Sequence, residues 1–166
     1  MSKHKMFYVI LISAALLYAL RSHQHQTGFM NDDAVYVIGA QNLLSQPANP
    51  LYPQMKPDYP MPGLPVVLAP FARWVRPYDN PLEWMSTLFT LLSIFLLWKW
   101  VVNRFSSGMA ITIVALFAFN PYFARYSGIL MPAPYYTAAL LSCLVLTKVL
   151  LNKPSMLVAL ALGSVM

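Results

Sequence analysis

An all-α fold, a polytopic bundle of membrane-spanning helices with a long loop on one side, is what this sequence predicts, and three observations predict it. Apolar residues make up 58 % of the chain and charged residues 10 %, against about 25 % charged in an ordinary soluble domain. Apolar runs recur along the chain at the scale a bilayer core demands, about 20 residues per helix. The charges are also sorted. All five acids, Asp32, Asp33, Asp58, Asp79 and Glu83, fall in one stretch, while lysine and arginine punctuate the ends of the apolar runs.

The first run, 6–20, follows Lys3 and Lys5 and is short for a span. It has the basic start and apolar core of a signal peptide, but its exit, Leu20-Arg21-Ser22-His23, offers no small-x-small cleavage site, so it is read as an uncleaved anchor. The next three runs, 81–102, 105–124 and 131–151, are long enough to cross. A fifth starts at 155 and stops at Met166, too short to span. The chain is therefore read as a single transmembrane domain over 1–166 and expected to be the N-terminal part of a larger protein. The other reading is a short protein whose last segment lies buried or interfacial. Basic residues near span ends mark the cytoplasmic side. Lys3, Lys5, Lys99, Arg104, Lys148 and Lys153 share one side if residues 21–80 form an extracytoplasmic loop. That predicts an integral protein of the cell (plasma) membrane with a cytoplasmic N-terminus. Arg21, Lys56, Arg73, Arg76 and Arg125 then lie outside, most of them in a long loop where the rule is weak. The net charge of +6 reads as topology and lipid-headgroup contact, and no nucleic-acid partner is expected.

The loop divides in three. Residues 33–44 predict a short amphipathic helix at the membrane surface, with Val35, Tyr36, Ile38 and Leu43 on its apolar side and Asn31 or Asp32 at its cap. Seven prolines between Pro47 and Pro65 exclude a helix and favour extended turns. Leu64–Trp74 is apolar but short and holds Pro65 and Pro70, so it predicts a juxtamembrane or re-entrant helix that does not span.

Asp32 and Asp33 are the only adjacent acids. One Asp suffices to cap a helix or to meet its N-terminal dipole. Two side by side repel unless a cation or donor compensates, and a pair at the bilayer edge suits a general base beside a partner that orients substrate or holds a cation. Tyr59-Pro60-Met61-Pro62-Gly63 reads either as a substrate-facing turn or as the plain end of a loop. Arg125 follows Asn120-Pro121-Tyr122-Phe123 at the outer end of the third span, where a cation pairs with an anion; a bilayer phosphate and the phosphate of a lipid-linked substrate fit equally. His23 and His25 lack a third ligand at fixed spacing, so no metal site is assigned. Trp74, Trp84, Trp98, Trp100 and Tyr122 fit an aromatic belt. Cys143 is the lone cysteine and forms no internal disulfide. Dinucleotide, phosphate-loop, nucleophile-elbow and Cys-x-x-Cys signatures are absent from the sequence.

The order of elements resembles the polytopic GT-C glycosyltransferases that use polyprenyl-phosphate sugars, the protein O-mannosyltransferase and lipid A aminoarabinose transferase group. In these an outer loop opens on Asp-Asp or Asp-Glu followed by x-x-Tyr, matched here by Asp32-Asp33-Ala34-Val35-Tyr36. A Pro-Pro-Gly type element then precedes an apolar helix, matched by Tyr59-Pro60-Met61-Pro62-Gly63-Leu64-Pro65. A span with a basic end follows, as at Lys99 to Arg104. The resemblance implies a transferase in which Asp32 and Asp33 are catalytic and Tyr36, Tyr59 and Arg125 bind substrate. The donor would be a polyprenyl-phosphate sugar and the acceptor a hydroxyl at the outer face; a divalent cation stays open as a cofactor. The chain departs from the pattern at Met131-Pro132-Ala133-Pro134, where the family often has an acid, which weakens a metal site there. The alternative is a non-enzymatic membrane protein, a transporter part or assembly subunit, whose acids cap helices or line a path.

Overall fold

The computed structural model describes residues 2–22, 31–43, 63–74, 83–126, 129–152, 155, 159–161 and 163, and among these the chain is all helix and turn, with no strand. Four helical segments are long and apolar enough to cross a membrane: Lys3–Arg21, Trp84–Val101, Ser107–Tyr126 and Pro132–Asn152. The expected bundle of spanning helices is there. Of the long loop expected between the first two, residues 23–30, 44–62 and 75–82 lie outside the described residues, as does most of the fifth apolar run.

Helix α1 (Lys3–Ser22) has 20 residues and is longer at both ends than its apolar run. Lys3, Lys5 and Arg21 are tolerated because long side chains carry their charge toward water while their stems stay apolar. At about 1.5 Å per residue the helix reaches about 30 Å, which removes the shortness of 6–20. Helix α2 (Asn31–Leu43) falls on the expected segment with two corrections: Asp32 lies inside the first turn rather than at the cap, and the helix is not amphipathic as expected, since Val37, Ile38, Ala40 and Gln41 are buried while Leu43 is exposed. Helix α3 (Gly63–Leu68) runs straight into a 3₁₀ turn, Ala69–Trp74. Together these last two cover the expected non-spanning segment. Pro65 sits in the first turn of α3, where an amide has no intrahelical partner to lose; Pro70 cannot donate in the next turn, and the α-helix tightens to 3₁₀ there. Helices α4 (Glu83–Val101), α5 (Ser107–Ala118), α6 (Pro121–Tyr126) and α7 (Pro132–Asn152) complete the chain.

The run expected as one span over 105–124 is two helices end to end. Pro121 has no N–H, and Asn120 starts α6 by accepting the Tyr122 amide on its Oδ1 at 2.9 Å. That leaves the Ala118 carbonyl without its helical donor. Tyr18, fully buried on α1, donates its hydroxyl to this carbonyl at 2.6 Å. In a lipid setting a stray backbone carbonyl costs several kcal/mol by order of magnitude, so this one side chain makes the break in α5–α6 tolerable.

Contacts fix the helix directions. Phe7 near the start of α1 stacks on Trp98 near the end of α4, centroids 4.8 Å apart, and His4 meets the same indole edge-on at 5.7 Å. Thus α1 and α4 run antiparallel. Tyr18 joins the ends of α1 and α5, which are parallel. Phe89 on α4 meets Tyr135 on α7 at 5.4 Å, and the Met131 amide donates to Ser86 Oγ at 3.3 Å, so α4 and α7 run side by side in the same direction. Their seam carries a row of buried hydroxyls: Ser86, Thr90 and Ser93 all lie on one side of α4. Thr90 and Ser93 turn back onto the carbonyls of Ser86 and Phe89, each at 2.8 Å. Small residues with self-satisfied hydroxyls let the two backbones approach.

The bundle therefore has two unlike ends. Lys3, Lys5, Lys99, Arg104 and Lys148 gather at one. The other carries α2, α3, the 3₁₀ turn and α6.

Candidate functional site

At the second end, Val37 and Ala40 of α2, Leu64 and Leu68 of α3 and Leu130 before α7 form a closed apolar cluster. Tyr36, Phe71, Met85, Phe89 and Tyr135 pack around it. The cluster clamps α2 against the upper ends of α4 and α7. Gly39 makes the close approach: a Cβ there would stand 3.2 Å from Pro65 Cγ, so any side chain at this position requires the Pro65 ring to give by a few tenths of an ångström. Gly63 lies beside Tyr135 and Tyr136: a Cβ there would stand 3.8 Å from a Tyr135 ring carbon and 3.7 Å from the Tyr136 hydroxyl oxygen.

Asp32 and Asp33 occupy the first turn of α2. Their backbone is described and their side chains are not. A carboxylate in that turn is favoured by the helix dipole, by about 0.3–1 kcal/mol. Tyr36 stands one turn further on, half-buried at the cluster edge. Tyr59 and its Pro-rich turn lie outside the described residues. Arg125 is exposed on α6, its guanidinium 5.8 Å from the Tyr126 ring centroid, within cation–π range. Helix α6 packs on α1 through Phe123 and Ala124, whereas Tyr36 belongs to the α2–α3 cluster. The structure brings Tyr36 and Arg125 to the same end of the bundle but not into one described cluster.

Two features here are not singled out by the sequence pattern. One is an apolar groove of about 690 Å³ on the outer side of the α5–α6 break, lined among others by Ala115, Leu116, Phe119 and Pro121. Pro121 and Arg125 are four apart on α6, hence on the same helix face; both are exposed. The other is Gln41 on α2. It is 8 % exposed, and its Oε1 accepts no hydrogen bond. A buried carbonyl oxygen left without a donor costs about 1–3 kcal/mol. Only its environment reveals it, since a glutamine in an amphipathic helix usually faces water.

Among the described residues no three His, Cys, Asp or Glu residues gather as a metal-ligand set; the acids' side chains are outside that description. No family model, no curated protein and no solved structure matches the chain.

Proposed function

We propose that the chain belongs to a membrane glycosyltransferase that moves a sugar from a polyprenyl-phosphate donor to an acceptor hydroxyl at the outer face of the cell membrane. The observation that carries this reading is the apolar groove at the α5–α6 break, which runs along α5 from Ile111 to Pro121 and ends four residues before Arg125 on α6. It lies at the bundle end that also holds the acid pair. An isoprenoid tail suits the groove and its phosphate suits the guanidinium, which presents several donors in a fixed plane. The clustering of Lys3, Lys5, Lys99, Arg104 and Lys148 at the opposite end supports a cytoplasmic N-terminus and an outward-facing α2.

In this mechanism the Asp32 carboxylate takes the proton from the acceptor hydroxyl as that oxygen attacks the anomeric carbon. The bond from the anomeric carbon to the phosphate oxygen breaks, and its electron pair leaves with the polyprenyl phosphate. Arg125 offsets the charge that develops there. Asp33 orients the substrate or a cation, and Tyr36 and Tyr59 contact the sugar.

Asp32→Asn keeps shape but removes the base. Transfer of radiolabelled sugar from lipid phosphate by the membrane-inserted protein should fall about 10²–10⁴-fold, with Asp33→Asn losing less. Near-normal transfer by Asp32→Asn returns the pair to stabilising the first turn of α2 and favours the non-enzymatic reading.

A further inference from the structure

We infer that the basic end of the bundle holds a binding site for the phosphate headgroup of an anionic phospholipid, in the groove between the last turns of α4 and α7. The groove measures about 390 Å³ and is lined by Trp100, Arg104, Leu144, Thr147, Lys148 and Leu151, with Asn152 at its rim. It lies at the end opposite the proposed transfer site and does not depend on that reading.

Its floor and walls divide by chemistry. Leu144 and Leu151 are exposed apolar residues one helical face apart from solvent-seeking neighbours, and they give an acyl chain an apolar wall. Arg104, in the turn after α4, and Lys148, on α7, supply two cations from different segments. Arg104 is held by its own helix end: the guanidinium lies 4.4 Å from the centroid of Trp100. Stacking uses the face of the guanidinium and leaves its edge, which carries the N–H donors, for an anion. Thr147 and Asn152 add neutral donors.

Charge bookkeeping favours an external anion over an internal one. From Trp84 to Met166 the sequence contains no Asp or Glu, so neither α4 beyond its first residue nor α7 brings a carboxylate to the groove. The last carbonyls of α7 contribute partial negative charge, and Lys148, one turn earlier, offsets it. Two cations lining one groove with apolar walls at a membrane surface match a phosphodiester whose tails run along the helices. A free phosphate ion shares the headgroup chemistry but leaves the leucine wall uncovered.

The test uses the purified full chain in neutral detergent, with lipid adducts counted by native mass spectrometry. Phosphatidylglycerol should be retained over phosphatidylcholine. Each cation that lines the groove is worth about a five-fold change, so Arg104→Gln with Lys148→Gln should lower phosphatidylglycerol retention about thirty-fold. Lys99→Gln, a cation at the same end that lies over Phe95 at 5.4 Å and outside the groove, should change it less than about two-fold. Leu144→Trp fills the groove without altering charge and should also release the lipid. Equal retention of the two lipids, a Lys99→Gln loss as large as that of the pair, or full retention by Leu144→Trp overturns the site. Displacement of the lipid by millimolar inorganic phosphate overturns the choice of a lipid over a free anion.

Discussion

The two ends of this bundle are built on opposite principles. At the basic end, Lys5, Lys99 and Arg104 are exposed, and the rings that accompany them, Phe95 under Lys99 and Trp100 under Arg104, belong to the same helix. At the other end position is set by long-range packing. Leu64 and Leu68 are fully buried between helices, Tyr18 reaches a carbonyl 100 residues away, and the Ser86 hydroxyl takes the amide of Met131. The cations of the first end need little geometry, although Phe7 of α1 and Trp98 of α4 stack at that end too. The other end is specified by geometry and tolerates little change. A site that must hold two reactants in register belongs on the second, because placement depends on neighbours that cannot move.

The most decisive way to break this comparison is to show that the ends do not face opposite sides of a membrane. In a Cys143→Ser background, a cysteine at 104 should label from the cytoplasmic side only and one at 125 from the outer side only. The outcome is all-or-none. Labelling of both from one side removes the two-ended membrane protein and the outer location of Asp32 with it.

Next in size is the contrast in tolerance. Leu68→Ala leaves a void inside the α2–α3 cluster and should destabilise the protein by about 2–5 kcal/mol. Lys99→Gln removes an exposed cation and should stay within about 0.5 kcal/mol. Thermal unfolding of both variants in one detergent measures the difference. Similar losses from both erase the distinction between the ends.

Much of this was legible in the sequence. Composition and run length predict the spanning helices, and the prolines at 65 and 70 predict that the segment around them does not span. The acid pair was placed near a helix start from its residue type, and it occupies the first turn of α2. What run length cannot convey is partnership. Nothing in the apolar pattern says that α4 lies against α7, because each helix is apolar nearly all round and the periodicity marks no single face. The hydroxyls of Ser86, Thr90 and Ser93 carry no signal in the apolar pattern, and only the packed structure shows them buried. The split at Pro121 was legible as a proline, yet its consequence, an orphaned Ala118 carbonyl met by Tyr18, depends on a contact between distant parts of the chain. Asp32, Asp33, Tyr36 and Arg125 stood out by residue type. The groove beside Pro121 and the orphan oxygen of Gln41 exist only once the helices are packed.

Gln41 gives the finest test of the packed end. Every other buried side-chain polar atom at that end that the structure describes has a hydrogen-bond partner, and Gln41 Oε1 does not. If geometry alone governed this end, the oxygen would be a plain defect. Gln41→Leu keeps nearly the same volume and removes the unmet acceptor, so it should raise stability by about 1 kcal/mol, read as a higher midpoint in thermal unfolding. A loss of stability instead means that the amide makes a bond the fold needs, and the orphan disappears. With stability raised, sugar transfer becomes the informative readout. A groove end that keeps a costly acceptor for a substrate hydroxyl should lose turnover in Gln41→Leu while the protein itself unfolds later, the signature of stability given up at a functional position. Unchanged turnover in a stabilised variant assigns Gln41 to packing alone, and the site then rests on the first turn of α2 and the outward face of α6.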